Sequence, residues 1–240
     1  MKNFIKELML ALLDFIENRR TITSIEKSQK RIAFRDSQTF IYENSSLRTL
    51  SFSDHISLRE HCIRNAPETG LLLEFGVYKG KSVNFMASVL DCMGDERSLY
   101  GFDSFAGFSE EWSGVDGQYS KKHFDQAGSL PVVDGRVKLI PGFIECTLSP
   151  FLEEMSDHKV AFIHIDTDTY TPAKVALSLL KQRFQSGTIV LFDEYCGYPN
   201  WRSHEHAALK EVVDRAGYEF IGFAQSDSSA NLIKAAIRIH

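Results

Sequence analysis

No run of the roughly eighteen apolar residues needed to cross a bilayer as a helix occurs in this 240-residue chain. Cysteine is scarce. Cys62, Cys92, Cys146 and Cys196 stand far apart and no CxxC pair appears. That excludes a zinc knuckle and a thioredoxin-type redox site, and fits buried or incidental thiols in a reducing compartment. Positive charge is also short: Lys+Arg 27 against Asp+Glu 32 gives a net charge of -5. Such a balance lacks the electrostatic footprint of general nucleic-acid binding, so no nucleic-acid partner is expected. Hydrophobic residues at 43% and charged residues at 25% exclude disordered, collagenous and coiled-coil classes.

The N-terminal stretch superficially resembles a secretory signal. Glu7 and Asp14 interrupt its apolar run, however, and Glu17-Asn18-Arg19-Arg20 is no small-residue cleavage site. A cytoplasmic protein without a membrane span is expected. Within residues 4–16, Ile5, Leu8, Met9, Leu12, Leu13 and Ile16 recur at helical spacing. This amphipathic helix either packs on the protein's own core, makes a homo-oligomer contact or lies on a membrane surface. Few cations on its polar face make the last the weakest. Residues 21–57 are polar and weakly periodic, and read as an ill-defined connector. Residues 1–60 are therefore expected to form an N-terminal helical and connecting region, followed by one domain over 61–240.

From residue 70 the pattern sharpens. Short apolar runs at 71–75, 98–102, 137–140, 160–165 and 188–192 each end in Gly, Pro or an acid. Helical stretches lie between several of them: 81–93 before Gly94, Thr171–Phe184 with Pro172 in its first turn, and His204–Ala216 before Gly217. Continuous apolar strands alternating with helices mean a parallel sheet covered on both faces. Glu219–Ala224 and Leu232–Ile239 leave no room for a helix between them and predict a terminal antiparallel hairpin. The expected class is α/β, Rossmann-like, with a seven-stranded mostly parallel sheet.

Open α/β sheets bind ligands beyond the carboxyl ends of their strands. That edge here carries Glu74, Gly76, Gly80, Asp103, Gly142, Asp166, Asp168, Asp193 and Glu194. Glu74 to Gly80 forms E-x-G-x-x-x-G, whose glycines allow a tight strand-to-helix turn and close approach of a ligand. The G-x-G-x-x-G of dinucleotide enzymes is absent, which disfavours a nicotinamide oxidoreductase. Asp103, at the end of the next strand, can accept both hydroxyls of a ribose. Asp166-Thr167-Asp168 admits two readings. It is either the D-x-D of a metal-dependent glycosyltransferase, or Asp166 joins Asp193 and Glu194 at the adjacent strand end. Three crowded carboxylates call for a cation, and hard oxygen ligands favour magnesium or calcium. Taken alone, Asp168 also suits a cap for the helix near Thr171.

Leu73-Glu74-Phe75-Gly76-Val77-Tyr78-Lys79-Gly80, Tyr100-Gly101-Phe102-Asp103-Ser104-Phe105, His164-Ile165-Asp166-x-Asp168-x-Tyr170 and Phe192-Asp193-Glu194-Tyr195 together resemble the macrocin O-methyltransferase family. The resemblance runs from about residue 70 to 240. It implies a class I S-adenosylmethionine-dependent O-methyltransferase that uses bound Mg2+ to methylate a sugar or other natural-product hydroxyl. Cofactor contacts would fall on Glu74, Phe75, Gly76, Val77, Tyr78, Gly80, Ser82, Asp103, Ser104, Phe105, Gly142, Phe143 and Asp166. Metal ligands would map to Asp166, Asp193 and Glu194, with Asp166 as general base and Asp168 as a second catalytic candidate. The chain departs from the family in having Glu194 where a second aspartate is usual, and Thr169-Tyr170-Thr171 in place of Leu-Tyr-Glu.

Two aromatic segments offer acceptor-binding faces. One, between Asp103 and Val137, carries Phe105, Phe108, Trp112, Tyr119 and Phe124; the other runs from Tyr195 to Trp201. His123, His204 and His206 rank below Asp166 as acid–base groups.

Overall fold

The computed structural model describes residues 24–114, 117–225 and 232–240. The expected helix over 4–16, and the oligomer contact tied to it, lie outside them. The connector expected over 21–57 is instead largely ordered: residues 24–44 are helical (α1). They are followed by β1 (Leu50–Phe52) and α2 (His55–Arg64). Asp54 starts α2 by accepting the Ser57 amide at 2.7 Å. The polar surface of α1 hid its inward stripe, since only Ala33, Ser37 and Phe40 are buried along it.

The core of the fold then alternates. It runs β2 (Leu71–Phe75), α3 (Lys81–Met93), β3 (Leu99–Asp103), a short hairpin β4 (Trp112–Gly114) and β5 (Gly117–Tyr119), β6 (Val137–Pro141) and α4 (Ile144–Glu154). After these come β7 (Val160–Ile165), α5 (Tyr170–Leu180), β8 (Phe184–Cys196), α6 (Glu205–Val212), β9 (Tyr218–Gln225) and β10 (Ile233–Ile239). The predicted helix ends shift slightly. The 171–184 helix passes into a 3-10 turn at Lys181–Arg183, and the 204–216 helix stops at Val212. Residues 81–93 are helical as predicted, between left-handed glycines at Gly80 and Gly94.

The sheet order is β1-β9-β10-β8-β7-β2-β3-β6. That is eight strands, not seven, because β1 adds in parallel to β9 at one edge. Three residues of Leu-Ser-Phe in a polar context carry too little alternation to be read as a strand. β10 alone runs antiparallel to its neighbours, β8 and β9, which is the expected terminal hairpin pairing. One face of the sheet packs α2 and α3 through Leu58, Ile63, Val83, Met86 and Leu90. The other packs α1, α4, α5 and α6 through Phe40, Leu148, Phe151, Leu177 and Leu209. Among the described residues no helix is long and apolar enough to cross a membrane.

Strand order reverses between β2 and β7, and that switch point fixes where a ligand crevice opens.

Candidate active site

The crevice is a cavity of about 270 Å³. Gly76 to Tyr78 form one wall, Asp103 and Ser104 a second, Phe143 to Glu145 a third, and Asp166 to Thr169 with Glu194 the floor. Backbone geometry at the switch point is tight. The Gly76 amide donates to Phe102 O and the Asp166 amide to Phe75 O, both at 2.8 Å. Gly76 has φ of 92°, and a Cβ there would run into the carbonyl carbon and oxygen of Asp166. Only glycine fits. Three other residues on the lining, Tyr78, Phe124 and Asp168, hold left-handed backbone without being glycine, the kind of strain that collects at functional sites.

Asp103 organises this wall. Its Oδ2 accepts the amides of Val77 (2.8 Å) and Tyr78 (2.7 Å), and its Oδ1 accepts that of Phe105 (2.7 Å). A carboxylate has about four acceptor positions, so room remains for a ligand hydroxyl. Of the residues expected around the cofactor, Gly76, Val77, Tyr78, Asp103, Ser104, Phe143 and Asp166 line the cavity. Glu74, Phe75, Gly80, Ser82, Phe105 and Gly142 do not. Phe75 and Phe105 are core side chains, and Glu74 is fully buried, accepting the Ser82 hydroxyl on Oε1.

The acids beside Asp166 divide differently from the expected trio. Asp193 and Glu194 are neighbours on one strand, so their side chains leave the sheet on opposite faces. Asp193 turns to the α2 side. There Arg59 Nη2 lies 3.1 Å and His164 Nε2 3.2 Å from its Oδ1, and Lys234 Nζ bonds its Oδ2. Burial opposes its charge, but Lys234, His164 and Arg59 together hold its carboxyl well below the usual range. On His164, burial and Arg59 disfavour the proton, yet Asp193 and Glu74 prevail and raise its pKa.

Glu194 turns instead toward Asp168. One oxygen each from Asp166, Asp168 and Glu194 come within 4.8 Å of one another. Behind them Glu205, the first residue of α6, is fully buried and accepts the Glu194 amide at 3.3 Å. Glu194 Oε2 and Glu205 Oε1 are buried without a hydrogen-bond partner. Burial first, then mutual repulsion, pushes Asp168, Glu194 and Glu205 well above the carboxylate range. Burial, then the charge of Asp193, raises Asp166 to about 7. Asp168 does not cap α5. Thr169 occupies that position, and Asp168 faces Glu194.

A divalent cation therefore suits Asp166, Asp168 and Glu194, because three convergent oxygens and a partnerless Glu194 Oε2 are what a hard cation satisfies. The trio of Asp166, Asp193 and Glu194 is not brought together.

The other expectations also resolve. The segment from Tyr195 to Trp201 offers no acceptor face. Tyr195, Tyr198 and Trp201 are buried, with Phe40 of α1 packed 5.2 Å from Trp201. His206 packs on that aromatic cluster, and none of His123, His204 or His206 lines the cavity. Between β3 and β6, Phe108 and Phe124 do line it. Arg59, Lys234 and Glu205 were missed as site-supporting residues. Lys234 left one signal: with Arg238 it is one of two cations in an otherwise apolar strand, and it is the one that is buried.

Residues 73–195 match the family described as the methyltransferase domain. The chain belongs to that family. It is thus an S-adenosylmethionine-dependent methyltransferase. A Streptomyces olivaceus relative, 8-demethyl-8-(2,3-dimethoxy-alpha-L-rhamnosyl)-tetracenomycin-C 4'-O-methyltransferase, is 26% identical over 209 residues, covering 71% of this chain and 77% of its own. Among solved structures, the calicheamicin methyltransferase CalS11 superposes with a TM-score of 0.57 at 21% identity, over 76% of each chain. The O-methyltransferase NovP superposes with a TM-score of 0.52 at 21% identity, over 77% of this chain and 78% of its own. These two likenesses show the fold. The glycosyltransferase reading of Asp166-Thr167-Asp168 is not favoured by any of these matches.

Proposed function

We propose that this methyltransferase acts on a hydroxyl of a sugar-bearing natural product. The observation that carries the reading is the position of Asp166. It lies at the switch point, hydrogen-bonded through its backbone to the strand that leads into Gly76, with its carboxyl on the cavity floor. The Streptomyces olivaceus relative, named as a 4'-O-methyltransferase of a rhamnosyl tetracenomycin, supports the substrate class.

S-adenosylmethionine, when bound, supplies an electrophilic methyl on a positively charged sulfur that leaves with the bonding electron pair. What remains for the protein is alignment and one proton transfer. Gly76, Val77 and Tyr78 shape the wall against which the cofactor would lie, held by Asp103. Asp166 Oδ takes the proton that the acceptor hydroxyl loses as its oxygen bonds to carbon. Asp168 and Glu194 hold the opposite side of the floor. A divalent ion on Asp166, Asp168 and Glu194 would lower the pKa of a coordinated hydroxyl.

The test pairs binding with turnover. Asp166→Asn should lower methyl transfer by at least about 100-fold while S-adenosylhomocysteine affinity changes little. A variant that transfers at the wild-type rate removes Asp166 from the chemistry.

A further inference from the structure

Residues 104–110 leave β3 and run antiparallel to residues 121–128. The Phe108 amide donates to Lys121 O at 2.8 Å, Ala106 bridges Asp125, and the Gln126 and Gly128 amides donate to Phe105 O. This two-stranded arm supplies Gly107, Phe108, Ser109 and Phe124 to the cavity lining. It is fastened on two sides of the cavity. On one, Gln126 Nε2 donates to Tyr78 O at 2.6 Å. On the other, Glu110 accepts the Thr171 amide on Oε1 and the Thr171 hydroxyl on Oε2, each at 2.9 Å.

Thr171 is the second residue of α5, and the start of that helix lacks an acceptor of its own. Thr169, at the N-cap, makes no side-chain cap, because its hydroxyl donates to Thr167 O at 3.2 Å. The first turn holds no acid, and Pro172 brings no amide. The aligned amides of a helix start favour a negative group, and here it comes from a residue 61 positions away. Thr171 stands where the family resembled in sequence usually has Glu. Helix α5 follows directly on residues 166–169, of which Asp166, Asp168 and Thr169 line the cavity and Asp168 holds φ of 60°. Glu110 does not itself line the cavity. It joins the arm that carries Phe108 to the loop that carries Asp166.

We propose that Glu110 is a positioning residue for methyl transfer. By bonding Thr171 it fixes the arm against the 166–169 loop, so that an acceptor held between Phe108 and Asp166 meets the base in register. This rests on the reading of Asp166 as the base, but the link itself can be measured without any acceptor.

The experiment separates the link from the cap. Amide hydrogen exchange is followed in the enzyme saturated with S-adenosylhomocysteine, over residues 104–110 and 121–128 and over α5. Glu110→Ala should speed exchange about 10-fold in both regions. Adding Thr171→Glu returns a carboxylate to the first turn of α5 but no link to the arm. Protection of α5 should then recover while the arm stays fast. Glu110→Gln keeps an oxygen for the amide and an N–H for the hydroxyl, and should protect both regions. Methyl transfer to a rhamnosyl tetracenomycin, the probe acceptor, should follow the arm. Its kcat/KM falls about 10-fold in Glu110→Ala, stays low in the double variant and recovers in Glu110→Gln, with KM for S-adenosylmethionine unchanged. Joint recovery of the arm and α5 in the double variant reduces Glu110 to a cap and overturns the proposal. An arm that stays protected in Glu110→Ala overturns it too, as does loss of S-adenosylhomocysteine binding there, which makes Glu110 a support of the whole cavity. The exchange result alone decides the link, so the sugar reading can fail without it.

Discussion

Asp193→Asn and Glu194→Gln, one residue apart, should have opposite consequences. Asp193 is the shared acceptor of Lys234, Arg59 and His164, all buried. Neutralising it leaves cations uncompensated in the interior, which costs about 3–5 kcal/mol. For a chain of this size each kcal/mol moves Tm by roughly 2–4 °C, so a fall of roughly 10 °C is expected. Glu194 is in the reverse situation: it is buried among Asp168, Asp166 and Glu205, with Oε2 unpartnered. Replacing it by an amide removes a carboxyl whose charge its surroundings disfavour and adds a donor, so metal-free stability should hold or rise by about 1 kcal/mol. Thermal melts in chelator and then in rising Mg2+ read both effects. Asp193→Asn should melt early yet keep the stabilisation Mg2+ confers, and Glu194→Gln should melt normally and lose it. A wild-type melt for Asp193→Asn, or loss of the Mg2+ response in that variant alone, would refute the division.

Gly76→Ala forces a side chain onto left-handed backbone and into the Asp166 carbonyl. It should lose roughly 3 kcal/mol or more in urea unfolding together with S-adenosylhomocysteine binding, and retention of both would show that the β2–β7 junction can open without harm. His206 is packed between Phe40, Trp201 and Tyr195, and burial first, then Arg202 and Lys210, lowers its pKa to about 4. The unfolded chain takes up that proton near pH 6.5, so this residue's effect is nil above 6.5 and destabilising progressively down to about 4. His206→Gln should flatten that part of the stability–pH curve, and an unchanged slope between pH 6.5 and 4 would exclude His206 as its source.

Much of the fold was legible because its strands are apolar on both faces. β2 and β7 are buried at every position, and such runs can be read without knowing their partners. The edge was not legible. β1 is a strand only because Leu50, Ser51 and Phe52 pair with Gly222, Phe223 and Ala224, a partnership no local pattern announces. Helix α1 was missed for a related reason. Its anchor Phe40 packs against Tyr195 and Trp201, which lie more than 150 positions away in the chain. The same long-range packing removed the 195–201 aromatics from the list of acceptor-facing groups.

At the site, residue types were legible and directions were not. That acids gather at the ends of β7 and β8 follows from sequence alone. Which of them share a cavity depends on the side of the sheet each one leaves. Strand alternation says that Asp193 and Glu194 diverge, but it does not say which one faces the ligand. The cations decide it. Arg59 arrives from α2 and Lys234 from β10, both on the side of Asp193, so that acid is pinned as a structural anion. Around Glu194 the acids Asp168, Asp193 and Asp166 outweigh Lys234, and Glu205 accepts its amide from behind. Crowded, partnerless carboxyl oxygens are satisfied by taking up protons or by a positive group arriving from outside. The sulfonium of the cofactor and a divalent ion are both positive groups of that kind. In the proposed site the unpinned face of the sheet would carry the chemistry, and the pinned face holds the sheet that presents it.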